Sequence, residues 1–156
     1  MKHLDRERTT DGIDRELDST PAQQNRIMEP IVPNIPPREL AIGNWVLFTE
    51  TNTREQVGAI LGTQVGFVYP RILAHLDRIE PIELTGDILL KSGFQRSNIY
   101  GYREHLKYTR SGVTITALFG CDFSILLHES ARVVRYVHEL QNIWYFLKRE
   151  ELNVKF

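Results

Sequence analysis

The stretch that decides the fold runs from Val133 to Leu147 and reads VVRYVHELQNIWYFL. Its apolar residues recur every three or four positions, as on the buried face of a helix: Val133, Val137, Leu140, Ile143, Trp144 and Leu147. A second set follows at i, i+4, i+7 and i+11, along one side of the same helix: His138, Asn142, Tyr145 and Arg149. The pattern predicts a C-terminal helix, starting near Ser130, with one face for the core and one polar side that could hold a ligand.

Length and charge limit the class of protein. The chain has 156 residues and a formal charge of −1, from 19 basic and 20 acidic side chains that are well mixed. This length favours one domain with its own core, and the mixed charges make nucleic acid and acidic lipid poor partners. A single cysteine, Cys121, excludes an intrachain disulfide. No apolar run approaches the roughly 20 residues of a spanning helix. We therefore expect a cytoplasmic protein with no membrane or nucleic-acid partner.

Residues 1–37 differ from the rest of the chain because they contain no aromatic side chain and five of the seven prolines. Such a segment cannot bury enough apolar surface to fold alone, which predicts a flexible arm. An alternative is an arm that becomes ordered on a partner or a neighbouring subunit through its apolar residues: Ile27, Met28, Ile31, Val32 and Ile35. Residues 38–156 are then expected to form the single domain.

The first half of that domain has the pattern of short, bent strands. The turn residues Gly43 and Asn44 precede Trp45–Phe48, which are strong strand formers. Further along, Gly58, Gly62 and Gly66 interrupt an apolar run. Glycines in strands typically mark bulges and sharp bends. This half is therefore predicted to be a small SH3-like barrel or a simple meander.

The second half combines helix and strand signals. Thr85 is suited to an N-cap and Gly93 to a left-handed C-cap, which predicts a short helix over 86–92. Turn residues then separate three predicted antiparallel strands, at roughly 100–106, 113–119 and 123–128. The C-terminal helix would pack on this meander, and residues 152–156 are a candidate last strand. The whole pattern indicates an α+β fold.

Two clusters are candidates for ligand binding. On the C-terminal helix, His138, Asn142 and Tyr145 offer three different polar functions between helix and sheet. In the predicted hairpin, Arg103 and Lys107 lie on the basic face of YGYREHLKYTR and could bind a phosphate. Each cluster also has a structural alternative: the helix residues simply border the core, and the basic face is solvated opposite a buried tyrosine face.

Signals for catalysis and metal binding are weak. No two of the five histidines have the spacing of a metal site, although His105, His128 and His138 could converge in the fold. There is no serine elbow and no motif around Cys121. We therefore predict no catalytic residue, metal or cofactor, and favour a protein that is not an enzyme. An enzyme would instead lose turnover, with folding intact, in His138→Ala.

Three segments carry a family resemblance: GNWV (43–46), IEPIELTGDILLKSGF (79–94), and VRYVHELQNIWYFL with REEL (134–152). They resemble a family of small uncharacterised proteins of Bacteroides-type bacteria and their prophages and phages. The residues that agree with the family pattern are Gly43, Trp45, Val46, Pro81, Leu84, Thr85, Ile88, Leu89, Gly93, Phe94, His138, Leu140, Gln141, Asn142, Glu151 and Leu152. The resemblance implies a mobile-element origin and a barrel-like first half, without an activity.

The chain also departs from that pattern. Gly86 stands where the family has a proline at the helix start, and Lys148 where it has a threonine. The long N-terminal arm is unlike the compact members. Together these observations predict a non-catalytic phage or prophage module that binds a small polar or nucleotide-like ligand in the host cytoplasm. The alternative is a virion-associated or other assembly component, oligomeric or bound to a phage protein through the arm.

Overall fold

The computed structural model describes residues 34–98, 106–117, 122–127 and 130–156. Within these ranges, ten strands form two five-stranded antiparallel sheets, accompanied by two α-helices. The α+β fold predicted from the sequence is therefore confirmed. No helix in the described ranges combines the length and the apolarity needed to cross a membrane.

The first sheet has the strand order β4-β3-β2-β1-β5. Its strands are β1 Trp45–Phe48, β2 Thr53–Leu61, β3 Gln64–Phe67, β4 Leu73–His75 and β5 Ile79–Glu80. A 3-10 turn, Leu76–Arg78, joins the last two strands, and β5 returns to pair with β1. Strands β1 to β4 therefore form a meander, and β5 adds to it beside β1. The register of β2 and β3 shifts between Val57 and Ala59, a bulge of the kind that the glycine-rich pattern predicts.

The first sheet encloses a small apolar core that includes the end of the predicted arm. Phe48 and Phe67 pack with ring centroids 5.2 Å apart, around the fully buried Val57 and Val65. Ile35 belongs to this cluster and is only 1% exposed. The last residues assigned to the arm therefore contribute to the core, whereas residues 1–33 lie outside the described residues.

The second sheet has the order β10-β9-β8-β7-β6. Its strands are β6 Gln95–Asn98, β7 Leu106–Arg110, β8 Val113–Ala117, β9 Phe123–Leu127 and β10 Ser130–Val134. Two of the predicted strands, 113–119 and 123–128, match β8 and β9 closely. The predicted strand over 100–106 lies outside the described residues except for Leu106, and Thr109 and Arg110, expected in a turn, are in β7. The polar sequence of β6, QRSN, has no apolar alternation that could have predicted it.

The start of the C-terminal helix is a correction to the sequence prediction. Helix α2 spans Val137–Lys148, whereas Ser130–Val134, expected to be its first turn, is β10. Val133 is consequently 44% exposed on the outer face of the sheet and is not part of the helix's buried face. The reason is tertiary, because β10 pairs with β9 over five residues. The β-branched Val133 and Val134 suit this strand better than a helix.

The C-terminal residues 152–156 also differ from expectation. They form no strand, although Leu152 and Val154 are buried in the core of the second half. The short helix α1, Gly86–Lys91, agrees with its prediction: Thr85 Oγ1 accepts a hydrogen bond of 3.2 Å from the Ile88 N–H, and Gly93 has a φ of 89°. Both caps are local signals, which explains why the sequence located this helix.

Helix α2 packs its apolar face on the inner face of the second sheet, as predicted. Trp144 and Val137 are fully buried, and Leu140 is 2% exposed, in the same cluster as Ile115 and Ile125 of the sheet. The polar residues of α2 border this packed face. Their positions relative to the turn before β1 and to β10 define the site described next.

Candidate ligand-binding cleft

The turn before β1 is bound to helix α2 by side-chain amides. Gln141 Oε1 accepts a hydrogen bond of 2.9 Å from the Trp45 N–H, and Gln141 Nε2 donates one of 3.0 Å to the Gly43 carbonyl. The Gly43 carbonyl accepts a second bond of 3.1 Å from Gln56 Nε2. Gly43 has a φ of 91°, a conformation that favours glycine. Gln141 therefore satisfies backbone groups at the start of β1.

Asn142 extends this contact by one residue. Its Oδ1 accepts a hydrogen bond of 3.0 Å from Asn44 Nδ2, and its Nδ2 donates one of 2.7 Å to the Glu39 carbonyl. Asn44, which is 3% exposed, in turn accepts from the Ala41 N–H at 2.8 Å. We call Gly43, Asn44, Trp45, Gln141 and Asn142 the amide junction. The side chains of the amide junction hold the backbone of the turn. The side-chain oxygen and the side-chain nitrogen of Asn142 therefore each have a partner within the protein already.

The amide junction also accounts for two of the motifs noted in the sequence, because GNWV and HELQN meet there. The sequence pattern predicts Asn142 as a ligand contact, and it does not identify Gln141 as the partner of the turn. Two adjacent amides at the edge of a helix's apolar face were the available signal. Their partners, however, lie in a turn almost a hundred positions earlier in the chain.

His138 differs from its neighbours because its imidazole is buried without a partner. The residue is 1% exposed, and neither ring nitrogen has a hydrogen bond within the part of the chain that the structure describes. The ring lies nearly parallel to that of Tyr136, with centroids 5.8 Å apart and an interplanar angle of 8°. Burial lowers the pKa of His138 from its ordinary value of 6.5, and the charges of Glu139 and Glu39 partly oppose this effect. The imidazole is therefore neutral at pH 7, with one donor and one acceptor.

His138 lines a cleft of about 390 Å³ between α2, the β9–β10 hairpin and the 3-10 turn Pro37–Glu39. We call it the His138 cleft. Ile143 and Leu127 supply apolar walls, and Asn142 and Glu139 also border the cleft. Three further side chains at the cleft are exposed to solvent: Arg38, Arg132 and Phe146. The cleft thus combines apolar surface, two guanidinium groups and a buried imidazole.

Tyr145 and Arg149 do not join His138. Tyr145 is 55% exposed and lines a separate cleft of about 410 Å³ beside Ile42 and Leu152. Arg149 ends the helix in the left-handed conformation, with its guanidinium 5.7 Å from the centroid of the Phe146 ring. Asn142 borders both clefts. The polar side predicted for α2 is therefore divided between two clefts.

Of the phosphate-binding pair predicted from the hairpin, only Lys107 is described, and it is not brought to α2. Lys107 lies on β7 next to Tyr108, which is 4% exposed in the core that faces α2. Because neighbouring residues of a strand point to opposite faces, Lys107 lies on the outer face of the sheet. Its register partners on the neighbouring strands are Ser97 of β6 and Thr116 of β8. Arg103 lies outside the described residues.

The largest cleft, of about 1160 Å³, is elsewhere, between the first sheet and α1. It is an open groove, and its charged side chains are of both signs: Arg54, Glu55, Glu80, Glu83, Asp87 and Lys91. Size alone does not identify a binding site, and none of the described side chains that line this groove has a buried polar atom without a partner. Trp144 Nε1 is the other unpaired buried group among the described residues, but Trp144 lines none of the clefts. We therefore consider the His138 cleft the best candidate.

Metal ligation finds no support in the described ranges, where no three His, Cys, Asp or Glu side chains form a cluster that could hold an ion. The predicted convergence of His105, His128 and His138 is not tested, because His105 and His128 lie outside those ranges. Cys121 also lies outside them. A scan against protein-family models and searches of curated proteins and of solved structures found no match for this chain.

Proposed function

We propose that this protein is a non-catalytic binding module that takes a small polar ligand in the His138 cleft. The observation that carries the proposal is the buried imidazole of His138, whose two ring nitrogens have no partner among the described residues. Leaving a buried polar group unpaired costs about 1–3 kcal/mol. A ligand that supplies a donor or an acceptor to this ring would recover part of that cost on binding.

The size and lining of the cleft fit this role. Its volume of about 390 Å³ lies within the range of roughly 300–1,000 Å³ that is usual for small-molecule sites. Such sites combine apolar walls with a few polar groups that orient the ligand. Here Ile143 and Leu127 form the apolar part and His138 the buried polar part. Because less than 1 Å² of either nitrogen is accessible, ligand entry requires a rotation of the ring or of a neighbouring side chain.

Binding is favoured over catalysis by the state of the nearest carboxylate. Glu139 Oε2 accepts hydrogen bonds from the backbone N–H groups of Arg135, at 2.7 Å, and Tyr136, at 3.0 Å. It therefore caps α2 and is not aligned to activate the imidazole. A general base or nucleophile pair normally has its two groups in hydrogen-bond contact.

The resemblance to phage and prophage proteins supports a role in the cytoplasm of an infected host.

Native mass spectrometry tests the proposal. The purified full chain would be incubated with a small-molecule extract of cells, and intact masses compared with those of His138→Phe. We expect a stoichiometric adduct that is lost in His138→Phe and retained in His75→Phe. The control histidine, on β4, is exposed and bonded to Asp77 at 2.9 Å. An adduct of equal occupancy in all three proteins would place the ligand elsewhere, and no adduct in any would remove the proposal.

A second candidate function, assembly through protein contacts, is favoured by an exposed apolar surface on the first sheet. The β3–β4 connection and the start of β4 carry Val68, Tyr69, Ile72 and Leu73, which are 39% to 84% exposed. Exposed apolar patches often mark interaction sites. In analytical ultracentrifugation of the full chain, Tyr69→Ser should weaken self-association, whereas Leu126→Ser on the second sheet should not. A monomer at every concentration would argue against this function.

A further inference from the structure

We infer that the ligand of the His138 cleft is a small anion with an apolar or planar body, whose negative group binds Arg38 and Arg132. The inference rests on the proposed function, since it specifies the ligand of the same site. A carboxylate and a phosphate share the chemistry required, because both accept paired hydrogen bonds from a guanidinium.

Arg132 reaches the cleft because of its register in β10. It is directly opposite Ile125 of β9, and paired residues of adjacent strands lie on the same face of a sheet. Ile125 is 1% exposed in the core beneath α2. The side chain of Arg132 therefore leaves the strand on the face of the sheet that is turned toward the helix. It forms no ion pair with another described residue, whereas Arg135 binds Asp122 at 2.9 Å. Arg132 is thus an available cation, and Arg135 is not.

Arg38 approaches the same cleft from the 3-10 turn before β1. The backbone of this turn is held on two sides: the Glu39 N–H donates to the Pro36 carbonyl at 2.9 Å, and the Glu39 carbonyl accepts from Asn142 at 2.7 Å. The hydrogen bond from Asn142 connects the turn to α2. The amide junction therefore places Arg38 at the edge of the cleft, and no described carboxylate pairs with its guanidinium.

The four charged side chains at the cleft sum to zero, but they differ in how their polar atoms are used. Two carboxylates, Glu39 and Glu139, line it together with the two guanidinium groups. The charge of Glu139 is already bound by two backbone N–H groups at the start of α2. Arg38 and Arg132, in contrast, form no ion pair with another described residue. An anion entering the cleft would therefore meet two guanidinium groups that are free to donate hydrogen bonds, whereas a cation would meet two like charges.

The rest of the cleft suits the body of such a ligand. Phe146 is 61% exposed, and Arg149 lies against its ring at 5.7 Å from the centroid. Ile143 and Leu127 continue the apolar surface toward the buried imidazole. A planar or branched apolar group can contact these side chains while its negative group stays with the arginines. A free inorganic ion would leave the apolar surface uncovered, so we expect it to bind more weakly.

The test uses three aromatic probes of similar size: phenyl phosphate, benzoate and uncharged benzyl alcohol. Each would be titrated into the ¹⁵N-labelled full chain and followed by NMR at the Ile143 amide and the His138 ring nitrogens. We expect saturable shifts with at least one of the two anions and none with benzyl alcohol. The stronger of the two anions then distinguishes a phosphate ligand from a carboxylate ligand.

Two variants separate specific from general charge effects. Arg132→Met should weaken anion binding roughly tenfold or more, since it removes charged hydrogen bonds. Arg71→Met is the control, because it deletes the same charge from the exposed β3–β4 connection. Equal binding of benzyl alcohol, unchanged binding in Arg132→Met, or no shift with either anion would overturn the inference. The proposed function would still stand if the adduct in native mass spectrometry depends on His138, and would fail separately if it does not.

Discussion

The side-chain amides of Asn44 and Asn142 form a hydrogen bond of 3.0 Å, although the two residues are 98 positions apart in the chain. This bond joins the turn before β1 to α2, and the preceding helix residue, Gln141, bonds the same turn on both sides of Asn44. The contact therefore fixes where α2 lies relative to the first sheet. It also fixes Glu39, whose carbonyl accepts from Asn142, and with it one side of the His138 cleft.

Gln141→Leu should lower the free energy of unfolding by about 1–3 kcal/mol, because the Trp45 N–H would lose its acceptor. The Gly43 carbonyl would keep its bond from Gln56, which limits the loss. Urea denaturation followed by tryptophan fluorescence measures the difference. Gln95→Leu, at an exposed position of β6, is the matched control and should change stability by no more than about 0.5 kcal/mol. Similar losses in the two variants would contradict the role given to Gln141.

A double-mutant cycle measures the bond between Asn44 and Asn142. Each single alanine variant loses another hydrogen bond as well. The Asn44 side chain also accepts from the Ala41 N–H, and the Asn142 side chain also donates to the Glu39 carbonyl. The cycle cancels these contributions and should give a coupling free energy of about 0.5–1.5 kcal/mol. A coupling near zero in urea denaturation would mean that the two amides do not stabilise each other in solution.

Stability should fall on acidification because of His138. Burial lowers its pKa below 6.5 in the folded state, so the unfolded chain binds the proton more readily. At pH 8 the imidazole is neutral in both states, so its titration does not change the free energy of unfolding. Once the pH drops below about 6.5, the unfolded chain binds the proton and the free energy of unfolding falls, until the pH reaches the pKa of His138 in the folded state. Urea denaturation between pH 8 and pH 5 checks this. His138→Phe should flatten the slope, and His75→Phe should keep it; an equally steep slope without His138 would assign the effect to other groups.

Gly86→Ala should destabilise the protein although alanine is the better helix former. A Cβ at Gly86, the first residue of α1, would overlap the hydroxyl oxygen of Tyr108. That ring cannot move aside easily, because Tyr108 is 4% exposed and packs on Phe123 with centroids 6.0 Å apart. We expect a loss of about 1–3 kcal/mol, the usual cost of overpacking, seen as a lower Tm.

Removing the Tyr108 hydroxyl group provides the test of that explanation. The double variant Gly86→Ala with Tyr108→Phe should regain much of the stability lost in Gly86→Ala, because the closest contact of the added Cβ, with the hydroxyl oxygen, is then removed. If the double variant is no more stable than expected from adding the two single effects, the overlap is not the cause.

Helix α1 could be predicted almost to the residue because its signals are local. Thr85 and Gly93 lie at the two ends of this helix, and each acts on residues within one or two turns of itself. The boundary between β10 and α2 could not be predicted in this way. Val133, Val134 and Val137 fit both a helical face and a strand, and the choice depends on β9, which supplies the hydrogen bonds of β10. Glu139 then caps the helix at the point where that pairing ends.

The candidate site was predictable in its residue types but not in its arrangement. The sequence alone determined an α+β chain with bent strands first and an amphipathic helix last, because periodicity and turn residues act over a few neighbouring positions. It also marked His138 and Asn142 as unusual for a core-facing helix. Only the tertiary structure decided that Asn142 binds the turn before β1, that His138 has no hydrogen-bond partner among the described residues, and that Arg38 and Arg132 reach its cleft. Those relationships join segments far apart in the chain, and they arise only when the two sheets and α2 pack.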